Sequence, residues 1–258
     1  MIERLSARYS QHPFFVSAER SAMIWRYMDF TKFAALLDTN GLFFPRADHL
    51  SDRWEGAYTQ ENLRRRQLIV DDFKSTQPEY MMEDLSRIYR SLPLHTFVSC
   101  WHLNDVESAA MWELYASHGE GIAVQSTFAR LVDSFQDDPS SMFNIYVGKV
   151  RYLNYEREAF SEGNSFLPFL HKRSSFEHEH ELRAIIQPIF PGTASPLAEA
   201  APFADGLIVN IDLRLLIQNI YVAPTSPGWF TSLVKRIARK YGVDALIKQS
   251  DLQRDPLY

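Results

Sequence analysis

The chain has 258 residues, with 27 Lys and Arg against 32 Asp and Glu, for a formal net charge of -5. Its 46% apolar and 14% aromatic content supplies a sizeable core and excludes a disordered chain. The acidic balance excludes a global basic field for nucleic acid, leaving at most a local basic groove. Cys100 is the only cysteine, so neither an intrachain disulfide nor a Cys-based zinc site is available. No apolar run approaches membrane-spanning length and the first residues lack an apolar signal core, so the expectation is a cytoplasmic protein without a membrane partner.

In chain order, residues 1–20 read as an arm packed through Phe14 and Phe15. Met23 to Met28 reads as a strand. Asp29 or Thr31 then caps a helix bearing Phe33, Leu36 and Leu37, which Asn40-Gly41 stops. Leu42-Phe43-Phe44 is a short strand ended by Pro45. Ala47 to Gly56 is a loop holding Asp52, Trp54 and Glu55. Residues 57–92 form a charged helical insertion. His95 to Trp101 alternates as a strand, and a helix follows with Met111, Trp112 and Tyr115 at helical spacing. Gly121 to Gln125 is a strand, and Ser126 or Thr127 caps the next helix. Asn144 to Leu153 is a longer strand, and Phe160 to Ser174 reads as a helix. Residues 188–205, rich in Pro, Ala and Gly, form a loop or flap. Strands over Leu207–Ile211 and Asn219–Val222, a helix over Trp229–Tyr241 facing inward through Leu233, Ile237 and Ala238, and a last strand at Ala245–Ile247 complete the chain. The pattern predicts one α+β domain over 1–258, with mixed, mostly antiparallel sheets and flanking helices.

The most conspicuous stretch is Phe176-Glu177-His178-Glu179-His180-Glu181-Leu182-Arg183, running into Ala184-Ile185-Ile186. Read as a strand, it lines one face with Glu177, Glu179, Glu181 and Arg183. Three carboxylates on one face repel one another unless a cation lies opposite. The competing reading is a solvated edge strand with surface ion pairs, and Arg183 reads as an ion-pair partner of Glu179 or Glu181. His178 and His180 with His171 or Asp52 suggest a metal only weakly, since no third ligand is set by spacing, and no metal is expected. Ser99 and Cys100 must face opposite ways on their strand. If Ser99 faces the cleft, Cys100 is an inert core residue.

Asp52-Arg53-Trp54-Glu55-Gly56, Ser99-Cys100-Trp101, Met111-Trp112-(x)2-Tyr115, Gly121-Ile122-Ala123-Val124, Val150-Arg151-Tyr152, Lys172 and Glu179-(x)-Glu181-(x)-Arg183 together resemble a widespread bacterial family of unknown function. The likeness runs from about Trp25 to Val222, with Phe176 where that family usually has Trp. The order of residues also looks like that of ADP-ribosyltransferases, which carry an Arg or His, then a Ser, Thr or Tyr, then Glu-x-Glu.

That resemblance implies an ADP-ribosyltransferase-like core and NAD as the consumed substrate. Arg26 and Tyr27, with Ser99 and Tyr115, would hold the dinucleotide, and Glu181, Glu179 and Ser99 would be catalytic. Arg26 would meet a phosphate, and Glu181 the ribose hydroxyl and the developing oxocarbenium charge. Glu179 would orient the acceptor or take its proton. Asp52, Trp54, Glu55 and Arg183 would face the substrate. The acceptor would be a protein or nucleic acid, in bacterial conflict or phage defence. The alternatives are a divalent-metal hydrolase or nuclease using the clustered carboxylates, and a ligand-binding module without chemistry. The resemblance requires Arg26, Ser99 and Glu181 to converge on one cleft.

Overall fold

The structure, a computed structural model, describes residues 1–73, 80–116, 119–135, 141, 143–188, 204–254 and 256. Its strands are β1 (Ile2–Leu5), β2 (Arg8–Tyr9), β3 (Met23–Asp29), β4 (Gly41–Pro45), β5 (Phe97–Leu103), β6 (Gly121–Thr127), β7 (Asn144–Lys149), β8 (Arg151–Leu153), β9 (His171–Arg173), β10 (Glu181–Ile186), β11 (Gly206–Asn210), β12 (Asn219–Val222) and β13 (Leu246–Gln249). Its helices are α1 (Phe30–Thr39), α2 (Gln60–Phe73), α3 (Tyr80–Ser91), α4 (Ala109–Ala116), α5 (Phe128–Ser134), α6 (Leu213–Leu216) and α7 (Gly228–Lys240). The fold is α+β with mostly antiparallel pairing, as the sequence predicts.

An eight-stranded sheet in the order β13-β12-β6-β3-β5-β10-β7-β2 positions everything else. Local sequence explains its central strand. In β3, Ile24 and Met28 face the main core, while Trp25 and Tyr27 face a second apolar cluster with Met111, Trp112 and Ala123. Such two-sided burial favours β-branched and aromatic residues over strict polar alternation. The Asp29 side chain accepts a hydrogen bond from the Lys32 amide and starts α1, and Asn40 ends it in the left-handed conformation at φ 46°. Thr127 caps α5 in the same way.

The main-core face is covered by the three-stranded sheet β1-β11-β4 and by α1, α5, α6 and α7. α7 turns Phe230, Val234 and Ala238 fully inward, with Leu233 and Ile237 only partly buried. The opposite face carries two separate apolar patches. One is Trp25, Tyr27 and Ala123 under α4. The other is Val98 and Ile185 under Phe15, Leu92, Phe169 and Leu170.

Several expectations need correction. The arm at 1–20 packs through Phe15 but not through Phe14, which is exposed, and it contributes β1 and β2. The long strand from Asn144 is divided into β7 and β8, which lie in different sheets. The helix expected over Phe160–Ser174 does not form. Leu167–Leu170 is a single 3-10 turn with Pro near its start, and β9 follows at once. The helical insertion is present as α2 and α3, whereas nearly all of the flap at 188–205 lies outside the described residues.

Candidate functional site

Between the two apolar patches runs a polar strip, built by strand register. In the β5–β10 ladder, Glu181 lies opposite His102, Arg183 opposite Cys100 and Ala184 opposite Ser99. Paired residues share a face, so Glu181, Arg183, Cys100 and His102 line the strip. Ser99 faces the other way.

The acidic run is not a strand. Ser174–Glu179 forms a 3-10 helix, and His180 closes it in the left-handed conformation at φ 40°, ψ 53°. That conformation is unfavourable for a residue with a Cβ and is held here by its surroundings. The turn leaves Glu177 and His178 exposed and brings Glu179 and Glu181 inward, 8% and 6% exposed. The expected shared face of Glu177 with Glu179 and Glu181 is therefore lost, while the convergence of the latter two is kept.

Both carboxylates meet Lys172, from β9. Its ammonium donates to Glu179 and, at 2.8 Å, to Glu181. Arg183 is fully buried and grips Glu55 with two parallel bonds of 2.6 and 2.7 Å. Its Nε donates to Glu181 at 2.6 Å and its Nη1 to the Phe169 carbonyl at 2.9 Å. Lys172 also stands 3.5 Å from Glu55. Glu55, Glu179 and Glu181 thus share two cations, leaving one negative charge when all three are ionised. Burial without pairing would be prohibitive for each of these groups.

The charge imbalance falls on Glu179. Burial, then its neighbour Glu181, pushes its pKa up to about 7, even though Lys172 pulls it back. Burial would raise Glu181 as well, but the charge of Arg183 outweighs it and holds Glu181 well below the carboxylate range. Two adjacent carboxyls with protonation pushed apart give one fixed anion and one group poised to exchange a proton at neutral pH.

The rim is aromatic. Phe176 lies under Lys172 at 4.6 Å and under Arg173 at 5.2 Å, and Trp54 is 44% exposed, 5.6 Å from Arg173. Asp52 accepts from the Trp54 amide at 3.1 Å and from Arg173 at 2.7 Å, so it shapes the loop and anchors Arg173. Tyr152 accepts the Glu181 amide at 2.8 Å. The pKa of Tyr115 is raised by burial and then by Glu179, Cys100 and Glu181, although the residue as a whole is exposed.

Gly56 makes the Glu55 loop possible. It has φ +74°, and a Cβ there would stand 2.6 Å from the Phe169 ring. Gly56→Ala should therefore destabilise the fold by about 1–3 kcal/mol, read as a lower urea midpoint at unchanged slope.

No protein-family model matches this chain, and no curated protein does.

Of the residues singled out from sequence, the structure brings together Glu55, Glu179, Glu181 and Arg183, with Asp52, Trp54 and Tyr115 at the rim. It does not bring Arg26 and Ser99 to them. Arg26 donates to Ser99 Oγ at 2.7 Å and to the Phe43 carbonyl at 3.0 Å, and stacks 5.7 Å from the Trp101 ring, all on the main-core side of the sheet. Burial lowers its pKa to about 10. Tyr27, by contrast, faces the Glu181 side, where its hydroxyl accepts the Ser108 amide at 2.8 Å. Strand parity separates them: Arg26 and Tyr27 are neighbours in β3 and must point apart.

Cys100 is on the carboxylate side, but burial and Glu181 push its thiol well up, away from nucleophilic use. Among the described residues, no cluster of three or more His, Cys, Asp or Glu is placed to hold a metal. Arg173 was missed by sequence reading, and His102 entered it only as a neighbour for a nucleophilic Cys100, a role set aside there. Only the alternation of β5 offered a signal for His102, which stands two residues from Cys100 on the same face.

Proposed function

We propose that this chain is an enzyme that breaks or transfers a glycosidic bond at the Glu179–Glu181 pair, with an NAD-type dinucleotide as its substrate class. One observation carries the reading: two buried carboxyls share Lys172 yet sit in opposite protonation regimes. Glu181, fixed as an anion, suits the positive charge that develops on a ribose as a pyridinium leaves. Glu179 suits removal of the acceptor's proton. The residual negative charge of the cluster favours a cationic ligand portion. Trp54 and Phe176 offer faces on which a base can stack, and Arg173 is the rim cation for a phosphate. Arg26 and Ser99 have no part in this version, since they lie across the sheet. The ADP-ribosyltransferase reading thus rests on the carboxylate pair alone.

A second reading, a binding module without chemistry, draws support from the full internal pairing of Glu55 and Glu181. The metal-dependent hydrolase gains no support, because Lys172 and Arg183 already occupy these carboxylates.

The test is incubation of the protein with NAD, alone and with cell extract, following free nicotinamide and labelled acceptors, beside a thermal shift with NAD. Enzyme chemistry predicts nicotinamide release that Glu181→Gln abolishes. Stabilisation by NAD without release favours the binding module. Absence of both defeats the dinucleotide reading.

A further inference from the structure

His102 is 4% exposed and sits in the middle of the polar strip, opposite Glu181 on β10 and opposite Trp25 on β3. Its Nδ1 stands 2.7 Å from the Glu179 carbonyl. A carbonyl only accepts, so Nδ1 carries the proton. Burial, together with His180 and His178, lowers the ring's pKa, although the bond to Glu179 opposes this. The ring is therefore neutral, and Nε2 is a bare acceptor. That Nε2 is buried and, among the described residues, has no hydrogen-bond partner. Buried polar atoms are seldom left so. Near the His102 ring lie the Tyr27 ring from β3, 6.1 Å away between ring centroids, the His180 ring, 6.0 Å away in the same measure, and Glu181 across the ladder. None of them donates to it.

We propose that His102 orients the ligand of this site: its Nε2 accepts a hydrogen bond from a neutral N–H or O–H donor, a carboxamide or a sugar hydroxyl. The inference rests on the glycosidic reading above for the identity of the ligand. The Glu179 carbonyl that fixes the imidazole belongs to the residue whose carboxyl would move the proton. A donor held by His102 is thereby placed in register with the carboxylate pair. Protonation of the ring would turn the acceptor into a donor, so binding should fail as the pH drops through the lowered imidazole pKa.

The test uses the full chain and NAD as the probe. His102→Asn keeps a donor at the Nδ1 position and removes the acceptor, whereas His102→Gln can present a carbonyl near the Nε2 position. The expected result is about tenfold weaker NAD binding and a raised KM in His102→Asn, with an unchanged melting temperature, loss of the acid limb of binding and partial recovery in His102→Gln. In the wild type, the Nε2 nitrogen resonance should move on saturation with NAD. If NAD binds while that resonance stays put and His102→Asn binds as tightly, the His102 role is overturned and the glycosidic reading survives. If NAD does not bind, the glycosidic reading falls. In that case nicotinamide and adenosine are titrated separately: a shift of Nε2 by either keeps the acceptor role, and no shift overturns it too.

Discussion

Arg183→Met should lower the unfolding free energy by about 3–5 kcal/mol, the usual scale for removing one partner of a buried ion network. The cause is what remains behind. Glu55 loses both bonds of its grip, Glu181 loses two, and the Phe169 carbonyl loses its donor. Lys172 alone would then face three carboxylates. Urea unfolding measures the loss as a fall in midpoint. Arg183→Lys keeps the charge but not the planar fork, and should fall between the two. Glu55→Gln added to Arg183→Met should recover part of the loss, since it removes one stranded anion; the double-mutant cycle gives the coupling. A midpoint unchanged in Arg183→Met would show that the network is not holding the fold.

Glu179→Gln should cost about 10²–10⁴-fold in kcat, with a smaller effect on stability. Wild-type turnover should rise as the pH passes about 7, where Glu179 gives up its proton. The variant should lack that limb, as nicotinamide release across the pH range would reveal. Stability provides an independent measure. Glu179's folded pKa is raised above its ordinary 4.5, so between those values the folded chain holds the extra proton. Its contribution is complete below 4.5 and is lost as the pH climbs through about 7. Glu179→Gln should therefore gain on the wild type between pH 5 and pH 8. Glu181 behaves in the opposite sense, because its pKa is depressed: it stabilises above the ordinary carboxylate range and ceases to do so in acid. A wild-type advantage that grows towards pH 8 would contradict the assignment.

Elements set by local chemistry were legible in the sequence. The Asp29 cap, the Asn40 stop and the Thr127 cap each follow from residue types a few positions apart. The acidic segment was legible as a cluster and misread as a strand. Alternating Glu at 177, 179 and 181 mimics a two-residue period, and nothing in His180 announces a left-handed backbone. The helix expected at 160–174 concealed the role of Lys172 as the cation that joins the two carboxylates, because the brevity of β9 and the Pro168 turn left only a short signal. The misplaced trio of Arg26, Ser99 and Glu181 has a different origin. The order of residues along a chain says nothing about register, and a shift of one position moves every side chain through the sheet. Ala184 opposite Ser99 decides the matter, and only the folded ladder supplies that pairing.

β1 lies at an edge of its sheet and pairs in parallel with β11, Ile2 against Gly206, while the amino terminus meets Asp205 across 204 positions. During translation, the opening residues must wait until most of the polypeptide has left the ribosome before their partner exists. That small sheet is then among the last parts to close, and until it does the Phe44 and Leu207 side of the nascent core lacks its outer strand.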